Sequence, residues 1–318
     1  MRMDERTCAL LLLALSIIVG IACPPLATLL EPCALPALFV VVLFSLVPFA
    51  QLAPRELISV TPNVLRVLVW QLLALPMLVV AIGTLCRFPS HIIALLVVTA
   101  CSGALFASPA LAALLDLDQR QSLQCMVLST LTMPISLYVF LRINFYGGAG
   151  IALDIEVYVA RILIYLVLPG LVFCFYRKIE RHMSDQARQH SRGISRWAVV
   201  VSLSVFGIGM MRGVSSHFAS NPTQVFFFLG ITTVLCMGML VLTTIVMHRF
   251  GLGEALTAAI LSGLRNVGLG YALIGEMIGP NLSVYVGIGL LPVFTAPLII
   301  KLIADRRYGI QDMARTVS

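Results

Sequence analysis

Charged side chains are scarce in this sequence: Asp, Glu, Lys and Arg make up 11% of the 318 residues. A soluble domain carries about 25%. Hydrophobic residues reach 60%, more than a water-facing fold of this length can bury, so most of the chain is expected to have lipid as its solvent. Acidic residues number only 14, and none falls in the middle of an apolar run. That removes the paired carboxylates of an intramembrane protease. There is no H-E-x-x-H and no C-x-x-C, and no Ser/His pairing occurs within the apolar runs, so the sequence gives no ground for an enzyme. The eight cysteines form no cluster with histidine. Cys23, Cys101, Cys125, Cys174 and Cys236 lie inside apolar stretches, as small packing residues do. The net charge of +7 is no nucleic-acid signal, because the basic residues sit mostly between apolar segments.

What is present is a series of long apolar runs. A hydrocarbon core of ~30 Å takes about 20 helical residues to cross. Runs of that kind occupy approximately 7–30, 33–52, 64–86, 90–115, 119–141, 155–176, 196–219, 222–248, 254–278 and 281–304. The polar stretch from Arg177 to Arg196 is expected to be a loop, too short for a folded domain. Arg2 and Arg6 ahead of an apolar run, with Gly20-Ile21-Ala22-Cys23 beyond it, are features of a cleaved leader. Gly20 stands where such a leader has an aliphatic residue, and apolar character continues to Leu30, so the run is taken as a retained first span. With the N-terminus inside, sixteen of the 21 Lys and Arg fall on the inner side and only Arg87, Arg142, Arg161 and Arg212 on the outer. This asymmetry predicts an even number of spans with both termini cytoplasmic.

Ten spans divide into two fives, about 7–142 and 155–304. An odd number per half makes a duplicated unit inverted in the membrane, as in many secondary transporters. Ser102-Gly103 in the fourth segment recurs as Ser262-Gly263 in the ninth. Both segments carry helix breakers. The fourth has Gly103 and Pro109; the ninth has Gly263, Gly268 and Gly270 around Arg265-Asn266. Irregular backbone at membrane depth survives only where protein or water satisfies it, and two interrupted helices in matching positions point to a transporter's binding site. Small-residue helix packing is the competing explanation. The Arg265-Asn266 pair favours a site.

Arg265 lies near the middle of the ninth segment, where insertion of arginine costs roughly 2.5–3.5 kcal/mol. Three roles are open to it: binding an anionic substrate, replacing a bound cation, or clamping carbonyls. With no acid at its depth, the expected acceptors are backbone carbonyls of the broken helices and Gln71. Gln71, Ser108, Ser122, Ser129, Thr130 and Asn266 are further polar residues in the third, fourth, fifth and ninth segments, and together they could line one cavity.

These stretches resemble the bile acid:sodium symporter family, particularly its ten-helix bacterial members. Gln71 to Pro76 resembles the third-helix pattern of Gln followed five residues later by Pro. Ser108, Asp118, Ser122, Ser129, Thr130 and Pro134 keep the spacing of the family's crossover helix and the helix after it. Gly263, Asn266, Gly268 and Leu269 match the ninth-helix pattern Glu-Val-Gly-x-Gln-Asn-x-Gly-Leu. The resemblance implies one all-α transmembrane domain. Discontinuous helices 4 and 9 cross within a core of helices 3–5 and 8–10, beside a panel of helices 1, 2, 6 and 7. It implies secondary transport of a small organic anion in the bacterial inner membrane, with Arg265, Asn266, Ser108, Ser262 and Gly268 toward the substrate. It also implies two sodium ions near the crossing, at positions that fall here on Gln71, Ser108, Ser122, Leu261 and Arg265. The sequence departs from the family there. The ninth-helix Glu is Leu261, the Gln is Arg265, the fourth-helix Asn is Pro109, and one fifth-helix Thr is Met126. A fixed cation 4 Å from a sodium ion repels it by about 4 kcal/mol at an effective dielectric of 20. The expectation is therefore an organic-anion transporter whose sodium arrangement is degraded, with no cofactor. A transport-inactive sensor or assembly homologue and an arsenite-type exporter of related fold are the alternatives.

Overall fold

The computed structural model of the chain describes residues 5–50, 56, 59–115, 117–145, 154–279 and 281–316. Arg2 of the sequence reading lies outside them. The described residues are predominantly helical, with no β-strand. In order, the helices are α1 (Glu5–Ala22), α2 (Pro24–Leu46), α3 (Pro62–Leu85), α4 (Ser90–Cys101), α5 (Ser108–Leu114), α6 (Gln119–Phe145), α7 (Ile155–Glu180), α8 (Asp185–Ser220), α9 (Pro222–Met247), α10 (Leu252–Gly263), α11 (Val267–Ile274) and α12 (Asn281–Thr316). Six of them, α2, α3 and α6 to α9, are long and apolar enough to cross a bilayer. Shorter apolar stretches lie in α1, α4, α10 and α12. This is the architecture of an all-α, multi-pass membrane protein.

Helix starts follow local chemistry. Thr61 caps α3 by accepting the Val64 amide, Asp154 caps α7, Ser184 caps α8 and Asn221 caps α9. Proline follows the cap of α3 and α9, where its missing N–H costs nothing. The same rule corrects the first boundary. The first two helices meet at Cys23, not near residue 31, because Pro24 and Pro25 start α2. Glu31, expected between spans, therefore lies inside α2 and forms an ion pair with Arg212 of α8. The polar stretch 177–196 is likewise helix rather than loop: α7 continues to Glu180 and α8 begins at Asp185. The last segment also runs on, to Thr316.

Two long helices contain a π-turn, at Trp70–Ala74 in α3 and at Leu163–Val167 in α7. Each is followed by a Leu-Pro pair, Leu75-Pro76 and Leu168-Pro169. Proline cannot donate to the turn before it, and the helix widens there to an i→i+5 bond. In α3 the Leu75 amide reaches back to the Trp70 carbonyl. The next π-type donor would come from residue 76, a proline, so the Gln71 carbonyl is left for another partner.

The packing brings α3, α4, α6, α10 and α11 together around the two interruptions, while α1, α2 and α8 pack on one another. α12 lies against α1, α8 and α9.

Candidate functional site

The fourth segment breaks at 102–107 and the ninth at 264–266, and the two breaks meet. Leu105 N donates to the Leu264 carbonyl (2.9 Å) and Asn266 N to the Gly103 carbonyl (2.8 Å), forming one antiparallel bridge between Ala104 and Arg265. Nearby side chains satisfy other exposed amides. Gly103 N donates to Met133 Sδ at 3.1 Å, and Ala104 N to Ser129 Oγ at 3.1 Å. Cys236 Sγ donates to the Gly263 carbonyl at 3.2 Å. Irregular backbone is thus tolerated in the protein interior because protein groups replace the helical partners.

Arg265 sits in the middle of this crossing, 1% exposed. Its Nε donates to the Ser262 carbonyl (2.8 Å), Nη1 to the Ser102 carbonyl (2.9 Å) and Nη2 to the Gln71 carbonyl (3.1 Å). Each acceptor is available for a structural reason. Ser262 and Ser102 lie at helix ends, where carbonyls have no intrahelical donor. Gln71 is released by the π-turn and Pro76. One guanidinium therefore ties α3, α4 and α10 together. None of the ion pairs among the described residues involves Arg265, so its charge meets carbonyl dipoles and no carboxylate.

The other expected site residues divide into two sets. Asn266 caps α11 with Oδ1, accepting from Leu269 N, while its buried Nδ2 has no partner. Gln71 Nε2 makes a long contact of 3.5 Å to Ser262 Oγ, and its Oε1 is buried and unpartnered. Ser108 Oγ at the start of α5, Ser122 Oγ on α6 and Thr130 Oγ1 on α6 are also buried without partners. Thr130 belongs to the crossing, since a Cβ on Gly103 would stand 3.2 Å from the Thr130 Cα and N. The second set is apolar or structural. Leu261 and Met126, which stand where the resemblance has oxygen ligands, are buried in one cluster with Ala104, Val64 and Val67. Gly268 seats α11 on α8, where a Cβ would meet Phe206 at 2.9 Å. Among the described residues no group of three or more His, Cys, Asp or Glu is placed to hold a metal ion.

The sequence reading named Ser129 and Thr130 as polar but did not place Ser129 on the Ala104 amide. It gave Met133 and Cys236 no role at the breaks. A methionine at 133 and a cysteine at 236 are ordinary apolar-segment residues, and nothing in their spacing marks them as hydrogen-bond partners. A polar cavity of about 460 Å³ opens at the beginnings of α3 and α6, lined by Thr61, Asn63, Asp118, Arg120, Gln121 and Gln124. Beside it, Glu254 at the start of α10 pairs with Arg66 (3.2 Å) and accepts from Asn63 Nδ2 (3.0 Å). Gln121 and Ser129 are eight residues apart on α6, about 12 Å along the helix, so the helix that borders this cavity also supports the crossing. No protein-family model matches the chain, and a search of the curated proteins finds no match either.

Proposed function

We propose that this protein is a secondary transporter of a small organic anion, of the bile acid:sodium symporter type, that works by alternating access without the two sodium ions of that family. The observation that carries the proposal is the uncompensated guanidinium of Arg265 at the meeting of two broken helices. Carbonyl dipoles stabilise it but leave its unit charge in place, so the crossing attracts an anion and repels a cation. Asn266 Nδ2, Ser108 Oγ, Thr130 Oγ1 and Gln71 Oε1 supply unused donors and acceptors to a solute. The loss of sodium fits the apolar cluster around Leu261 and Met126, which gives a hard cation no oxygen ligands.

The ten-span, twofold inverted arrangement is part of this reading, as are the bacterial inner membrane and cytoplasmic termini. The clamp lies wholly within α3, α4 and α10, so it can travel with a moving core of helices and need not break in each cycle. A second reading, a transport-inactive sensor or assembly subunit, draws on how thoroughly the crossing is bonded. Uptake into proteoliposomes separates the two. Labelled carboxylates and sulfated steroids are supplied with an imposed Na⁺ or K⁺ gradient. Saturable uptake that is equal in the two salts is expected. Strong Na⁺ stimulation refutes the sodium-free mechanism, and thermal stabilisation by a solute that is never taken up favours the sensor.

A further inference from the structure

A second arginine enters the bundle without a partner. Arg161 lies in the second turn of α7, within a helix apolar enough to span the bilayer. Its Nη1 is buried and accepted by nothing, and none of the ion pairs among the described residues involves it. The residue as a whole is half-buried. Its guanidinium lies against the end of α11, where a Cβ built on Gly275 would collide with Nη1 and stand 2.7 Å from both Cζ and Nη2. Gly275 has φ +57° and ψ −137°, a conformation open to glycine and strained for other residues. The missing side chain at 275 is what gives the guanidinium its place.

Two tyrosines flank Arg161 along α7. Tyr158 and Tyr165, three residues before it and four after, occupy the buried face of α7. The Tyr158 hydroxyl donates to the Pro134 carbonyl at 2.7 Å, and the Tyr138 ring lies 6.4 Å from the Tyr158 ring. Val157 and Ile164, four residues before Arg161 and three after, are exposed, so the arginine stands at the border between the buried and exposed faces of α7. A cation at the end of α11 is favoured by the helix dipole, yet that field fills no hydrogen-bond site. The contrast with Arg265 is direct: there each of the three guanidinium nitrogens has a carbonyl, here a buried nitrogen has none. A charged N–H left unbonded is costly, and an anionic ligand removes that cost.

We propose that Arg161, in the notch of Gly275 and between the α7 tyrosines, is a binding site for a small organic carboxylate or sulfonate, separate from the crossing. Nine residues separate Gly275 from Asn266, about 13 Å along α11. The guanidinium recognises the paired oxygens of the anion and the tyrosines provide a flat apolar wall. The site stands on binding alone and does not require that the protein transports.

The test is equilibrium dialysis of labelled benzoate against purified protein in nanodiscs of zwitterionic lipid, with benzamide as the uncharged control. Wild type binds benzoate and not benzamide. Arg161→Gln weakens binding about tenfold or more and Arg161→Lys by less, because an ammonium keeps the charge but loses the fork. Without ligand, Arg161→Gln unfolds at the same temperature as wild type or higher, since it removes an unbonded charge. A purely structural helix-end role predicts the reverse, a lower unfolding temperature with unchanged benzoate binding, and that result overturns the proposal. So does the absence of benzoate binding to wild type up to about 10 mM, the weak end of specific affinity. Benzoate binding abolished by adding phosphatidylglycerol to the nanodiscs assigns the site to a lipid headgroup and overturns it as well.

Discussion

Replacing Arg265 by alanine tests whether the crossing is held by its guanidinium, and the sign of the result decides the matter. If the arginine were only a charge tolerated in the membrane, removing it would stabilise the protein by roughly 2.5–3.5 kcal/mol, its insertion cost. If it is the clamp described above, the substitution strands the carbonyls of Gln71, Ser102 and Ser262, which accept from it at 3.1, 2.9 and 2.8 Å. Hydrogen bonds to a charged donor contribute about 1.5–3 kcal/mol each. Three of them outweigh the insertion cost, and deleting one partner of a buried charged arrangement typically costs about 3–5 kcal/mol. At roughly 2–4 °C per kcal/mol, Arg265→Ala should lower the unfolding temperature in detergent by about 6–20 °C while membrane insertion survives. Arg265→Lys should fall between, because an ammonium is a point donor and cannot span acceptors on α3, α4 and α10 at once. Scanning fluorimetry of the two variants beside wild type is sufficient. An Arg265→Ala protein as stable as wild type, or more stable, refutes the clamp. Wild-type uptake kinetics in the same variant refute its part in transport.

Under the proposed function, a cation site should be partly restorable. Leu261→Glu with Arg265→Gln places a carboxylate and an amide where the family resemblance has them, and Na⁺ should then stabilise the double variant over K⁺, by about 1.4 kcal/mol at ten times the dissociation constant; neither single variant should respond. Ser129→Ala leaves the buried Ala104 amide without its acceptor and should cost about 1–3 kcal/mol, with faster hydrogen exchange at 104 as the local readout. Pro76→Ala returns an N–H to the turn that orphans the Gln71 carbonyl. In a double-mutant cycle it should reduce the cost of Arg265→Ala by about 1 kcal/mol, whereas strict additivity would show that the π-turn and the clamp are unrelated.

Hydropathy made the helical, membrane-spanning character plain, and it failed where hydrogen bonding rather than polarity sets a boundary. The break at Cys23 escapes a hydropathy count because the apolar residues on both sides outweigh Pro24 and Pro25; what the prolines lack is a donor. The sequence also holds Pro32 and Pro36, which α2 accommodates in its interior, so proline by itself does not say where a span ends. The opposite error at 177–196 treated charge as a sign of loop, although a capped basic segment continues as helix once it leaves the lipid. At the site, the kind of acceptor Arg265 uses was legible, because the absence of any mid-segment acid leaves carbonyls as the remaining choice. Its third acceptor was legible only as a residue. The sequence suggested Gln71, but the carbonyl rather than the amide is used, which follows from the π-register of α3.

That distinction bears on what the crossing does with charge. Had Arg265 paired with a carboxylate, the site would be neutral and indifferent to the sign of a solute. Held by three carbonyls, the guanidinium is fixed in position yet still carries a full positive charge, and the helix ends that supply Ser102 and Ser262 are directed at it. At 4 Å and an effective dielectric of 20, an anion gains about 4 kcal/mol and a sodium ion loses as much. The apolar cluster of Leu261, Met126 and Ala104 adds to that discrimination, because it offers a dehydrated cation nothing in exchange for its water. Under the proposed function, a solute suited to this crossing carries a negative charge. Competition between a carboxylate and its own amide for uptake measures that directly: the amide should fail to compete, and equal competition would mean that the charge of Arg265 plays no part in recognition.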